Sequence, residues 1–411
     1  MRSLTRIYSL LFLALLLAIP ALAQTPPYAR TVLVVSGGSP TTNGTNLLSA
    51  LAAITTASAA NPWLLKVEPG IYDLGTNQLV PKAYVDIEGS GRDSTIITSA
   101  AQGNGGPGAT VLVYPGTLAE MRELTVKNTS AGMGRGLYLL SDDFALRRVN
   151  VDVNTVDQSV ALEIVNSSPT LSDVSIKIQT GRWGATGLSM WSSSSKIEQL
   201  AVQISSSNSD ATGIGIGGSS YPTMNRVTVN LLSSLTAFGV VFSGGSPLMA
   251  NCEVRVSGGT TLNTGLYAKN AGTPHVRDCY VNVQGVETRG ADVVSPAILE
   301  IRGSTLWAVS SGRAWGLFNE GGKVSVLSSE VHAMGPSEGI GAINMNGTSV
   351  TEVDHTTLEG SRLSALNITT GDRISIGASK LIGPIPSPNV GGYTCVGAYN
   401  NSYIALSPLC L

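Results

Sequence analysis

Few groups in this sequence could do acid–base, nucleophilic or metal chemistry, and none falls into a recognisable constellation. The three histidines are His275, His332 and His355. Asp142 and Asp143 are adjacent carboxylates with no histidine motif beside them, which reads as a solvated turn, since inverting sugar hydrolysis needs an acid and a base on opposite sides of the bond. Calcium would need several carboxylates converging from neighbouring segments. No Cys-x-x-Cys or histidine partner stands at zinc-ligand spacing, so the sequence implies no metal and no cofactor. Cys395 and Cys410 close a short loop at the end of the chain and are expected to be bridged.

These groups are positioned by a repeat. Between Leu124 and Ser379 a short phrase returns, its anchors being Leu124, Val149, Val174, Leu200, Val227, Cys252, Cys279, Ser304, Ser329, Thr356 and Ser379. Each phrase alternates apolar and polar residues, the period of a strand with one buried face. A second strand opens with glycine or alanine at Gly136, Ala161, Gly187, Gly213, Gly239, Gly265, Ala291, Gly316, Gly341 and Ala365, and keeps the same interval. Repeats this short cannot bury an apolar face alone, but stacked they share one continuous core.

The expected fold is all-β: a single-stranded, right-handed parallel β-helix of about a dozen rungs with a short N-terminal capping helix. The helix is expected within residues 46–60, with Leu47, Leu48, Leu51 and Ile54 on one side and Thr45 or Asn46 at its N-terminus. The expected segments are a signal peptide (1–23), an N-terminal cap and first rung (24–83), the β-helix (84–383) and a C-terminal cap (384–411), where Pro384, Pro386 and Pro388 stop the strand pattern. Stacking places the backbones of Cys252 and Cys279 about 4.8 Å apart. Their side chains would point in parallel, which favours two buried thiols over the alternative of a bridge.

The register also lists the outer surface. One row on the first strand reads Asn150, Ser175, Ala201, Thr228, Glu253, Tyr280, Thr305, Glu330, Thr357 and Lys380; the next runs from Asp152 through Arg255, Asn282 and Trp307 to His332 and Glu359. His332 and His355 are therefore expected at the solvated surface. The outer row of the second strand reads Tyr138, Glu163, Ser189, Gly215, Val241, Tyr267, Val293, Phe318, Ile343 and Asn367, apolar over five rungs from Val241. Such a stripe implies a partner, a ligand or a covering loop. Tyr267 and Phe318 on it, with Tyr280 and Trp307 on the first strand as stacking platforms, are the candidate ligand-binding residues. The change of anchors to Ser and Thr in the last four rungs implies a narrower or more hydrogen-bonded core there.

Trp63-Leu-Leu-Lys-Val-Glu-Pro-Gly-Ile-Tyr72, Val85-Asp-Ile-Glu-Gly-Ser-Gly91 and Thr95-Ile-Ile97 resemble the opening rungs of pectin methylesterases and of the wider pectin-lyase-like right-handed parallel β-helix superfamily. Residues 142–148 and 158–162 resemble the esterase segment that carries an oxyanion-stabilising glutamine, which implies that role for Gln158. The resemblance also implies an aspartate acid/base, an aspartate nucleophile and an arginine. The chain departs from it at each: Thr180 and Gly181 stand where the family has Gln-Asp, residues 213–217 hold no carboxylate, and no Gly-Arg-Pro-Trp follows. A lone amide cannot hydrolyse an ester. The paired aspartates and Gly-His-Gly turn of polygalacturonases and the carboxylate cluster of calcium pectate lyases are not found either.

Compartment is more legible than chemistry. Arg2 and Arg6, the apolar run to Ile19 and Ala21-Leu22-Ala23 have the layout of a cleaved secretory signal, which places the protein outside the cell, in the periplasm or at the cell surface. Without Arg2 and Arg6 the chain carries 23 basic and 27 acidic residues. That balance excludes a nucleic-acid partner, and no apolar run is long enough for a membrane span. The expected function is an exported, non-catalytic scaffold that binds polysaccharide or cell-surface glycan along its outer faces. The alternatives are a polysaccharide lyase or hydrolase with an unrecognised site, and an adhesion or assembly protein that meets a protein partner through the apolar stripe.

Overall fold

The computed structural model describes residues 28–103, 108–141, 144–180, 183–206, 209–384 and 392–410. The signal segment, Asp142, Asp143, Gly181, Pro386 and Pro388 lie outside the described residues. The chain forms a right-handed parallel β-solenoid of about 12 turns. Three walls of parallel strands surround one core. Residues 149–155 stack on 174–180 and then 200–206 in the first wall. Gly134–Leu139, Ser159–Val165 and Ala185–Trp191 stack in the second, and residues 145–147, 170–172 and 196–198 in the third.

The bend from third wall to first is made the same way in every repeat. The residue before each anchor, from Glu123 (φ 57°) and Arg148 (φ 51°) to His355 (φ 48°) and Ala378 (φ 32°), is left-handed, and only Gly303 among them is a glycine. Just after the bend the anchor turns inward. The glycine opening the second wall has a separate cause: a Cβ on Gly239 would lie 2.6 Å from the carbonyl oxygen of Gly265 and 2.4 Å from Val254 Cγ1. Successive turns approach too closely there for an unshifted side chain.

The helix begins earlier than expected, at Pro40, and runs to Ala53. Ser39 is its N-cap, its Oγ accepting from Thr42 N–H at 3.2 Å, and Pro40 takes the first turn, where a missing N–H is harmless. The apolar side found in the sequence is correct: Leu47, Leu51 and Ile54 are buried in the main core, with Leu48 packed at its edge. Gly44 lets the helix sit against the first turn, since a Cβ there would meet Asp73 O at 2.0 Å.

Cys395 and Cys410 are bridged. So are Cys252 and Cys279, with Cα atoms 4.5 Å apart, against the expectation of two thiols. The parallel-pointing argument holds inside a pleated strand, but here the chain has left the strand: Asn251 (φ 52°) and Asp278 (φ 52°) precede the two cysteines, and the bend turns the side chains toward each other.

From that rung onward the long strand breaks in two at the anchor. Leu248–Ala250 and Glu253–Ser257 replace what Thr223–Leu232 spans in one piece. The anchor N–H groups are then met by hydroxyls: Cys279 N–H donates to Ser304 Oγ (3.1 Å), Ser304 to Ser329 (3.1 Å), Ser329 to Thr356 (3.2 Å) and Thr356 to Ser379 (3.1 Å). Each hydroxyl donates in turn to the carbonyl two residues back. The hydrogen-bonded core expected from the Ser/Thr anchors is this column.

Candidate functional site

Four successive turns that lead from first to second wall stack into a cleft. It has a volume of about 750 Å³ and is lined by Gln102, residues 131–133, Asp157, Gln158, Trp183 and Gly184. That size suits a small-molecule or sugar site. The turns are tied through the backbone: Gly103 N–H donates to Met133 O, Gly134 to Gln158 O and Ser159 to Gly184 O. Beneath them the buried Asn128 donates to Ala101 O (3.1 Å) and Arg135 O (2.9 Å), and Ser209 Oγ holds Trp183 O at 2.9 Å. Gly132 leaves room for the Gln102 amide, since a Cβ there would lie 3.2 Å from Gln102 Oε1.

Trp183, one of the lining residues, is 64% exposed, and Val156 beside Asp157 is 49% exposed. Gln158 is exposed as well. An apolar ring face next to two amides and a carboxylate is the composition that grips a sugar, whose ring face is apolar and whose edge is hydroxyl. The sequence singled out Gln158 for a different reason and missed Trp183, which lies outside the regular strand pattern.

The four aromatic candidates do not come together. Tyr267 and Phe318 lie on the second wall, Tyr280 and Trp307 on the first. Trp307 is stacked on His332 with ring centroids 3.9 Å apart, and Tyr280 OH accepts from Asn282 Nδ2 at 3.1 Å. His332 is 8% exposed rather than solvated, its Nδ1 2.6 Å from Glu359 Oε2 under the Trp307 ring. His355 is exposed, as expected.

The outer row of the second wall differs from the expected one by a single residue at two places. Tyr267 pairs with Asp292, which pairs with Phe318, and Ile343 pairs with Leu366. Val293 and Asn367 point inward, 0% and 1% exposed. Gly290 and Ala291 are both small enough to open that strand, and it is Gly290 that stacks between Gly265 and Gly316. The stripe is therefore not continuous, nor bare: Phe318 (6%) and Ile343 (4%) are buried with Trp315 and Ile340.

Asp292 interrupts the stripe with charge. Its Oδ2 lies 2.6 Å from Arg289 Nη1, whose guanidinium sits 3.7 Å over the Phe318 ring and also faces Glu287 (3.2 Å) and Glu320 (3.7 Å). Burial pushes the Asp292 carboxyl up to about 6, outweighing the lowering pull of Arg289. With 2% exposure it is closed to a ligand, so the pair is an internal feature of the wall.

Among the described residues, no three histidine, cysteine or acidic side chains are grouped to hold a metal ion. No helix there is long and apolar enough to cross a membrane.

No protein-family model matches the chain, and no curated protein does. Solved structures do match. The A-module of the Azotobacter vinelandii mannuronan C-5 epimerase AlgE4 is 14% identical, with a TM-score of 0.44 over 90% of this chain and 97% of that one. The catalytic domain of a GH87 α-1,3-glucanase is 14% identical, with a TM-score of 0.47 over 92% of this chain and 70% of that one. Pectin methylesterase from carrot is 14% identical, with a TM-score of 0.35 over 69% of this chain and 83% of that one. The likeness is one of fold.

Proposed function

We propose that the chain is an exported β-helix that binds polysaccharide, with the cleft around Trp183 as its principal subsite. The observation that carries this is a tryptophan left 64% exposed in a cleft of about 750 Å³ that is also lined by Gln102, Asp157 and Gln158. The two disulfides fit an oxidising compartment. Binding without turnover is the better reading of the cleft, because Asp157 is the one carboxylate among its described lining residues and glycoside hydrolysis takes two. A protein partner on the second-wall stripe has less support, since Asp292 breaks that stripe and Phe318 and Ile343 are covered.

The test is a glycan-array screen followed by titration of the best ligand, run beside an assay for new reducing ends and unsaturated products. Trp183→Ala is expected to weaken binding about tenfold, the loss of one stacked ring. Product release would overturn the binding-only reading; a ligand indifferent to Trp183→Ala would move the site elsewhere.

A further inference from the structure

One outer row of the third wall treats its arginines in two ways. Near the N-terminus each guanidinium is met by carboxylates: Arg122 by Asp86, Glu88 and Glu120 at 2.6–3.4 Å, and Arg147 by Glu120 at 2.7 Å. Further along the same row Arg277 and Arg302 are register partners on adjacent parallel strands, which places their backbones about 4.8 Å apart. Both are exposed, and among the described residues neither side chain has an ion-pair or hydrogen-bond partner.

Their acidic neighbours are turned elsewhere. Glu300 Oε2 lies 2.8 Å from His275 Nδ1, and the Asp278 carboxylate lies over Gly303. Like charges directly opposite on neighbouring strands repel. An oxyanion between the two would convert that repulsion into two charge-assisted, fork-shaped contacts. Arg277 and Arg302 line one concavity of about 130 Å³, with His275, Glu300 and Ser325. It is too small for a drug-sized ligand or a sugar ring and fits a single carboxylate or sulfate group.

We propose that Arg277 and Arg302 form a clamp for an oxyanion carried on an acidic polysaccharide, a uronate carboxylate or a sulfate ester. The polysaccharide carrier rests on the function proposed above, while the clamp itself stands on a different wall from the Trp183 cleft and its geometry is independent of that cleft.

The test titrates the wild type, Arg277→Ala/Arg302→Ala and Arg277→Lys/Arg302→Lys with oligogalacturonate, dextran sulfate and uncharged dextran. The alanine pair is expected to lose at least about tenfold affinity for an anionic probe, with no change toward uncharged dextran. The lysine pair, charged but without the fork, should fall between. Wild-type affinity should drop with added salt. Whichever anionic probe responds identifies the group, and Trp183→Ala should leave that response intact even if the cleft proves empty. Because the substitution removes repulsion at an exposed site, the alanine pair should melt no lower than the wild type, so lost binding is not lost folding. Wild-type affinity for neither anionic probe, or equal affinity in the alanine pair, overturns the clamp.

Discussion

Ser329→Val is expected to destabilise the fold by about 2 kcal/mol, because it strands the buried Ser304 N–H, at about 1–3 kcal/mol for such a group. Ser329 Oγ accepts from Ser304 N–H and donates to Leu327 O. The Ser304 N–H has no water to replace the bond, since Ser304 is 2% exposed, whereas Leu327 O keeps the Gly303 N–H at 3.1 Å. Valine is the native anchor at Val149 and Val174, but there the strand runs on through the corner, as Ala145–Thr155 and Thr170–Thr180. The hydroxyl is required where the strand is interrupted. Ser329→Thr is the control, since Thr356 already does the same work one rung on; it should stay within about 1 kcal/mol of the wild type in guanidinium unfolding. Equal midpoints for the serine and valine proteins would show the column to be dispensable.

Asp292 sets the second large effect, and it appears as a dependence on pH. Burial pushes its carboxyl in the folded state up to about 6, above the ordinary aspartate value of 3.8. The native state therefore holds the proton more tightly than the unfolded chain. Between those two values stability falls as pH rises, by about 3 kcal/mol in all at 1.36 kcal/mol per unit. The contribution is fully present below about pH 4 and gone above about pH 6–7. Asp152, also raised by burial, acts in the same direction. Glu88 acts oppositely: burial raises it, but Lys66 and Arg122 together hold it below the usual range, so its contribution is lost as pH falls through that lowered value. The difference between wild type and Asp292→Asn isolates the residue. Unfolding free energies at pH 4 and pH 7.5 should show that difference changing by about 3 kcal/mol, with the variant the flatter of the two. Parallel pH profiles would mean that the carboxyl is not buried in solution.

Much of this molecule is legible from its sequence because the repeat does two jobs at once. Alternation in a phrase such as 146–153 fixes which residues point inward, and equal spacing fixes which residues meet in adjacent turns. The first-wall rows from Asn150 to Lys380 and from Asp152 to Glu359 pair as expected. Errors arose where two neighbouring residues satisfy the same pattern. Gly290 and Ala291 are both small enough to open a strand, and the two openings put different residues, Asp292 or Val293, in the outer row. The Cys252–Cys279 bridge needed a dihedral angle at Asn251 and Asp278 that alternation does not carry. The helix start was signalled by Ser39-Pro40, outside the apolar stripe used to place it. The cleft was the least accessible feature, because Gln102, Gln158 and Trp183 sit on irregular turns where the period says nothing. Unopposed arginines at Arg277 and Arg302 could have been found, since a 25-residue interval between like charges is visible in the sequence once the register is known.

The left-handed corner before each anchor makes the turns interchangeable units. Removing residues 227–251 would join Arg226 (φ 54°) to Cys252, a left-handed residue again followed by a buried anchor, with the same angle into the first wall. The rows on either side would close up without a change of face, because stability in such a stack is a sum of turns and the interfaces between neighbours. Length is therefore adjustable in this architecture by whole turns, and so is the distance between the Trp183 cleft and the Arg277–Arg302 clamp. A gene acquiring or losing a repeat would change the span over which a long polymer is held while leaving each subsite intact.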